Sequence, residues 1–197
     1  GNHPKWEPIY TAAKRKEALA IWDEAEPASG SHPYIERKKV DAAGLRVVVK
    51  PRQKPLLPKW TLLVPCRDLD GALLGVERIS HDGADIGNLG RRAFFGEKAG
   101  GCYVPGDRRI VTDRPVIVAE GAATTHSLKE ITGESAAVAS CFSLGMAGRF
   151  IGALRERDGF FFTCLFAVDV CDYEHPQNKT ALDKVRKTGS EIIRLPA

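Results

Sequence analysis

The chain has 197 residues, of which 43% are hydrophobic and 27% are charged, and its formal net charge is +4. This length is sufficient for one or two compact domains, each with its own hydrophobic core. No apolar run approaches the roughly 18 residues that cross a bilayer, and the amino-terminal residues carry no signal-peptide core. We therefore expect neither a membrane protein, a secreted protein nor a disordered chain.

The positive charge is concentrated at the front of the chain. Residues 1–60 contain 12 Lys and Arg against 7 Asp and Glu, whereas the remainder contains 17 against 18. This distribution is typical either of a surface that follows an anionic polymer or of a solvated basic surface without a partner.

The cysteines indicate the redox compartment. There are five of them, an odd number, and no pair shows the Cys-x-x-Cys spacing of a structural zinc site. The simplest interpretation is a chain without disulfide bonds in a reducing, cytoplasmic compartment.

The first half of the chain begins with helices and continues with strands. Apolar periodicity predicts a helix over 11–25 and a short basic helix over 34–43, separated by a Pro-, Ser- and Gly-rich break. Short β-branched and apolar runs then predict strands at 45–49, 60–64, 73–79 and 93–95. Asp70-Gly71 and Asp82-Gly83 separate the later strands, a pattern that favours antiparallel hairpins.

After Arg114-Pro115 the periodicity changes. Continuous apolar runs at 116–119, 136–142 and 160–168, and a final run at 192–195, predict buried strands. Helices are predicted between them over 122–132, 145–157 and 178–188. The resulting β-α-β-α-β-α-β order indicates a parallel sheet with right-handed crossovers. We therefore expect an α/β fold with an α+β part over 1–114 and a mainly parallel domain over 115–197.

Acidic residues follow two of the predicted parallel strands. Glu120 ends the first strand, Asp169 ends the third, and Asp172 lies just beyond it. If these strands are neighbours, Glu120 and Asp169 meet at the carboxyl edge of the sheet, where ligands of such sheets bind. Clustered carboxylates suit Mg²⁺, although acids at strand ends also serve only as turn formers or caps.

Several of these segments resemble a known family. Val116-Ile-Val-Ala-Glu120-Gly121 looks like the first Toprim motif, and the segment from Asp169 to Asp172 looks like the second, which is normally Asp-x-Asp. Upstream, His32-Pro-Tyr and the Pro65-Cys-Arg-Asp-Leu-Asp-Gly71 segment are similar to stretches that precede Toprim in primases of phages, plasmids and integrating elements. The chain therefore resembles the catalytic core of a primase of the phage-P4 and plasmid-conjugation kind.

The resemblance implies synthesis of RNA primers on a single-stranded DNA template from nucleoside triphosphates. Glu120, Asp169 and Asp172 would be catalytic and would hold Mg²⁺ or Mn²⁺, and a replicative helicase is an implied partner. The candidates for contacts to nucleic acid and nucleotide phosphates are Arg37, Lys38, Arg46, Arg67 and Lys179. Trp22 and Trp60 could stack bases or act as buried anchors.

One departure from the family pattern keeps other functions open. Cys171 stands where the second acid of Asp-x-Asp would be expected. A non-catalytic Toprim module that binds single-stranded DNA or docks a helicase is the first alternative. A Toprim nuclease, which would use the same metal cluster, is another.

Overall fold

The computed structural model describes residues 7–196, with the side chains of residues 12–196 except that of residue 89. The chain divides into two compact units, one ending at Lys98 and the other beginning at Ala99. The sequence placed this boundary later, after residue 114. It lies earlier because Tyr103 exchanges two backbone hydrogen bonds with Ser140, at 2.9 and 2.8 Å, which attaches the segment to the second unit.

The elements of the first unit are α1 (Glu7–Asp23), β1 (Glu26–Pro27), α2 (Pro33–Lys38), β2 (Arg46–Val47), β3 (Arg52–Gln53), β4 (Leu56–Leu57), β5 (Leu62–Arg67), β6 (Leu73–Ile79) and β7 (Arg92–Gly96). They form an antiparallel five-stranded sheet of order β1-β2-β5-β6-β7 and a separate small hairpin, β3-β4. A 3₁₀ turn, Gly87–Leu89, lies between β6 and β7.

Helix α1 covers this sheet with an apolar stripe. Ala18, Ile21 and Trp22 are buried, and they pack with Leu63 and Val76 of the central strands. The turn at Asp70-Gly71 forms as predicted: Gly71 has φ 93, and the carboxylate of Asp68 accepts the backbone N–H of the residues at 70 and 72. A turn of this kind holds β5 and β6 in antiparallel register.

The predicted second helix is shorter than expected. Helix α2 ends at Lys38 because Lys39 adopts the left-handed conformation, with φ 50, and closes the helix before Gly44. The first predicted strand is likewise reduced to Arg46–Val47. Sequence patterns did not indicate the β3-β4 hairpin.

The second unit contains a parallel four-stranded sheet of order β11-β10-β8-β9. Its elements are β8 (Val116–Ala119), α3 (Ala122–Thr132), β9 (Ala137–Ser140), α4 (Leu144–Asp158), β10 (Cys164–Asp169), α5 (Val170–Glu174), α6 (Lys179–Arg186) and β11 (Glu191–Leu195). A 3₁₀ turn, Pro176–Asn178, precedes α6. The predicted alternation of strands and helices is confirmed, and α5 is an addition that the sequence patterns did not indicate.

Both units have dense cores. In the second, Phe150, Ile151 and Leu154 of α4 are fully buried. Helices α4 and α6 approach so closely at Gly148 that a Cβ there would lie 2.9 Å from the Cβ of Lys184. The mixed α/β architecture, an antiparallel sheet followed by a Toprim-like parallel sheet, is the one expected from the sequence. Within the described part of the chain, no helix has the length and apolar character needed to span a bilayer.

Candidate active site and nucleic-acid-binding clefts

The carboxyl edge of the parallel sheet carries two of the predicted acids on neighbouring strands. Strands β8 and β10 are neighbours, with Ala119 opposite Ala167 in parallel register. Glu120 follows β8 directly and Asp169 is the last residue of β10. The strand adjacency on which the predicted meeting of these residues depends is therefore confirmed. Both side chains are exposed, so an ion or substrate in solvent can reach them.

The backbone around Glu120 is held in place from the neighbouring strand. The hydroxyl of Ser140, at the end of β9, donates to the Glu120 carbonyl oxygen at 2.7 Å. Gly121 then adopts an extended conformation as the N-cap of α3, and a Cβ added to it would meet nothing within 4 Å. The space beside the start of α3, where backbone N–H groups favour an anion, is consequently open.

The second acidic motif is divided between a strand end and a short helix. Asp169 is the N-cap of α5, while Cys171 and Asp172 lie within that helix, and all three are exposed. The amide of Asn178 donates to the backbone carbonyl of Asp172 at 2.9 Å and approaches its carboxylate at 3.5 Å. Lys179 begins α6, directly after Asn178, and is exposed.

These donors fit an ion that needs few protein ligands. Mg²⁺ is commonly held by one or two carboxylates and completes its coordination with water and substrate phosphates. Glu120 and Asp169 can supply such a pair. Across the described residues, however, no three His, Cys, Asp or Glu side chains form a group that could hold a metal ion. A metal ion held by Glu120 and Asp169 therefore stays a prediction.

A basic cleft in the first unit contains the predicted Arg37 and Lys38. The two residues occupy the last turn of α2, where they line a cavity of about 650 Å³ together with Arg91 and Arg92 at the start of β7. Asp82 is the acid of this lining. The basic cleft thus gathers four cations from two segments of the chain, which suits the phosphates of a nucleic acid.

Tyr34 organises the floor of the basic cleft. Its hydroxyl accepts a hydrogen bond from Arg92 at 3.0 Å, and the guanidinium carbons of Arg37 and Arg92 lie 5.8 and 5.7 Å from its ring centroid. Burial raises the pKa of Tyr34, so the phenol stays neutral beside these cations. Sequence reasoning missed Tyr34, Arg91 and Arg92 as site residues. The adjacent arginines that follow Gly90 at a strand start were the available signal.

Arg46 and Arg67 lie beside Trp22 on the first unit. Arg46 donates to the Trp22 carbonyl at 2.7 Å and its guanidinium carbon lies 4.7 Å from the indole centroid. Arg67 donates to the Gly71 carbonyl at 3.2 Å, with its guanidinium carbon 5.7 Å from the same indole. Both are partly exposed, and their predicted role in phosphate contacts stays a prediction.

An aromatic pocket of about 290 Å³ lies on the same unit and is lined by His32, Trp60 and His81 together with Val47, Pro27 and Pro33. His32 is the N-cap of α2: its Nδ1 accepts the backbone N–H of Tyr34 at 3.2 Å, so Nε2 carries the proton that is donated to the Trp60 carbonyl at 2.9 Å. Burial lowers the pKa of His32 below its ordinary value of 6.5, and nearby His81 and Arg37 act in the same direction.

The fold is similar to that of primase domains of known structure. The RNA polymerase domain of Mycobacterium tuberculosis primase DnaG superimposes with a TM-score of 0.61 at 14% identity, covering 97% of this chain and 76% of that one. The primase fragment of the bacteriophage T7 primase-helicase protein gives 0.59 at 12% identity, covering 82% and 64%. A DnaG primase catalytic domain bound to single-stranded DNA gives 0.57 at 11% identity, covering 95% and 73%.

At these identities the similarity shows the fold alone. The chain spans about two thirds to three quarters of the primase domains that it matches. No protein-family model and no curated protein matches it. The chain thus has the fold of a primase catalytic domain, and the narrower resemblance to primases of phages and plasmids stays a prediction.

Proposed function

We propose that this chain is the catalytic core of a DNA primase, which joins ribonucleotides into RNA primers on single-stranded DNA. The observation that carries the proposal is the position of Glu120 and Asp169 at the carboxyl ends of neighbouring parallel strands, within a fold similar to primase RNA polymerase domains. One of those matched domains is bound to single-stranded DNA. The metal ion, the template and a replicative helicase as partner are parts of this proposal.

Glu120 and Asp169 would hold Mg²⁺ or Mn²⁺, and Asp172, which lies in α5, would be a further donor. Such an ion would supply positive charge that orients nucleotide phosphates and offsets the charge developing on them during phosphoryl transfer. The exposed ammonium of Lys179 and the start of α3 would bind the remaining phosphate charge at this edge. In the reaction, the 3′-oxygen of the primer bonds to the α-phosphorus and pyrophosphate leaves. The hydroxyl proton passes to water, because the site is open to solvent at both exposed carboxylates.

The basic cleft would bind the template. Its four cations can contact backbone phosphates without reading sequence, because phosphates are the same at every nucleotide. The carboxylate of Asp82 repels phosphates, so a bound strand would place its phosphates near the cations and away from Asp82. Template binding and catalysis are consequently assigned to different residues, which separate experiments can address.

The test is ribonucleotide incorporation on a single-stranded DNA template in the presence of Mg²⁺ or Mn²⁺. We expect the parent protein to make primers and Glu120→Gln to lose this activity, because an amide cannot carry the charge that holds the ion. Glu130→Gln, an exposed glutamate on α3, is the matched control and should retain activity. A parent without synthesis, or an active Glu120→Gln variant, would refute the proposal.

A second candidate is a non-catalytic module that binds single-stranded DNA. It is favoured by Cys171 at the position of the expected second acid and by the lack, within the part of the chain that the structure describes, of three grouped metal ligands. Salt-dependent DNA binding without Mn²⁺ binding or synthesis would select it. Loss of intact DNA in Mn²⁺ during the same assay would instead indicate a nuclease.

A further inference from the structure

We propose that the aromatic pocket formed by His32, Trp60 and His81 binds one unpaired nucleobase of a single-stranded nucleic acid by stacking. The proposal rests on the proposed function only for the source of the base, which is the template strand. The pocket itself is defined by contacts within the first unit.

Trp60 has a strained backbone conformation although its side chain is not buried in the core. Its φ is 68, a left-handed conformation that bulky residues rarely adopt. The backbone is fixed on both sides: its N–H donates to the Val48 carbonyl at 2.7 Å, and its carbonyl accepts from His32 at 2.9 Å. Nevertheless Trp60 is 46% exposed, so the strained backbone conformation holds an indole that is largely in contact with solvent. Backbone strain of this kind is concentrated at functional sites.

The imidazoles of His32 and His81 form a wall beside Trp60. Their ring centroids lie 5.2 Å apart with an interplanar angle of 86°. His32 cannot rotate without losing its hydrogen bonds to both Tyr34 and Trp60, and its lowered pKa keeps it neutral. An aromatic wall with a neutral His32 suits the flat face of a base more than an inorganic anion.

Polar groups also line the aromatic pocket. Ser29 and Ser31 are hydrogen-bonded to each other at 3.0 Å through their hydroxyls, and Glu26 contributes a carboxylate. Hydroxyls can donate or accept and a carboxylate accepts, so this rim can pair with the amino and carbonyl groups of a base edge. An apolar aromatic interior with a few polar groups at its rim is the usual composition of a small-molecule site.

The surroundings supply charge for the sugar–phosphate backbone that a base would carry. The ammonium of Lys59 lies 4.7 Å from the Trp60 ring centroid. His81 also lines a neighbouring depression, which shares Ser80 and Asp82 with the basic cleft. The surface therefore continues from the aromatic pocket to the four cations, and a strand bound in the basic cleft can place a base against Trp60. Alternating stacking platforms and cations are the general means of binding single strands.

The experiment compares two oligonucleotides of equal length and charge. One is a fluorescein-labelled deoxythymidine decamer and the other is the same backbone with every base removed. We expect the parent protein to bind the thymidine strand more tightly, and Trp60→Ala to weaken that binding by between about fivefold and 150-fold, the range for loss of one stacked base. Trp60→Ala should leave binding of the abasic strand unchanged, because phosphate contacts remain.

Two further variants separate stacking from folding. Trp60→Phe keeps an aromatic ring and should retain most of the affinity, whereas Phe161→Ala removes a fully exposed aromatic from the second unit and should have no effect. Thermal unfolding monitors whether each variant is folded. Because the comparison of the two oligonucleotides uses the parent protein, it stands even if Trp60→Ala unfolds.

The outcomes distinguish this proposal from the primase proposal. Equal binding of the two strands by the parent, or equal weakening of both by Trp60→Ala, overturns the base pocket and leaves primer synthesis intact. Free nucleoside triphosphate should displace neither strand, because the base in the pocket belongs to the bound strand and not to a free nucleotide. Displacement of the thymidine strand alone by triphosphate would overturn the template as its source. An inactive protein that still distinguishes the strands would refute primase activity only.

Discussion

The basic cleft predicts a defined change in the salt dependence of DNA binding. Arg91→Ala combined with Arg92→Ala removes two of its four cations. Each phosphate contact of a single strand adds about 0.7 to the slope of log affinity against log salt, because a condensed counterion is released. The double variant should therefore have a slope shallower by about 1.4. Between about 50 and 200 mM salt, its affinity should fall about sevenfold less than that of the parent.

The contacts of Arg91 and Arg92 determine how much each contributes to the predicted change in slope. Arg91 is a weakly paired surface cation, 4.0 Å from Asp85 and 72% exposed, so its charge is available to a phosphate. Arg92 also donates to Tyr34, and its loss removes a neighbour of the aromatic ring as well as a charge. Arg92→Lys retains the charge but not the planar donor, so it should keep the slope of the parent.

Fluorescence anisotropy of the labelled thymidine decamer, titrated at several salt concentrations, measures the slope directly. The second unit provides a matched control in Arg108→Ala combined with Arg109→Ala, another adjacent pair of exposed arginines outside the basic cleft. This control should keep the slope of the parent. An unchanged slope in the cleft variant, or the same decrease in both double variants, would refute the assignment of phosphate contacts to the cleft.

Three other predictions concern packing, pH and the acidic motif. Gly148→Ala should destabilise the protein by about 1–3 kcal/mol through overpacking against Lys184, whereas Gly152→Ala on the same helix, where a Cβ meets nothing within 4 Å, should stabilise it by about 0.5–1 kcal/mol in chemical denaturation. The pKa of His32 is lowered on folding, so its contribution to stability is complete above a pH of about 6.5 and is lost as the pH falls toward the lower folded value; His32→Gln should flatten this part of the stability–pH curve. Cys171→Asp, which restores Asp-x-Asp, should tighten Mn²⁺ binding in a calorimetric titration.

Each of these predictions has an outcome that contradicts it. Equal stability changes at Gly148 and Gly152 would mean that α4 and α6 do not approach as closely as described. A stability–pH curve that His32→Gln leaves unaltered would show that the imidazole is as easily protonated in the folded state as in the unfolded chain. Mn²⁺ binding that ignores both Cys171→Asp and Glu120→Gln would place the ion elsewhere.

Local patterns were sufficient for many of the elements. The residues 73–79, 116–119 and 122–132 form the strand, strand and helix that their patterns predicted, with the same bounds. These segments carry their own signals, namely apolar runs with turn residues at their ends, and such signals need no distant partner. By contrast, the boundary between the units depended on the pairing of Tyr103 with Ser140, which no local pattern contains.

By itself, the sequence determined the alternation of strands and helices after residue 115, the acids that follow the strands, and the basic character of the front. These properties follow from the periodicity of apolar residues and from the residue types themselves. The tertiary structure decided which strands are neighbours, and hence that Glu120 and Asp169 lie on adjacent strand ends. It also joined Arg37 and Lys38 to the arginines at 91 and 92, and exposed Trp60 beside two histidines. Residues far apart in the chain meet only when the fold buries the apolar surface between them, so their proximity is a property of packing rather than of local pattern.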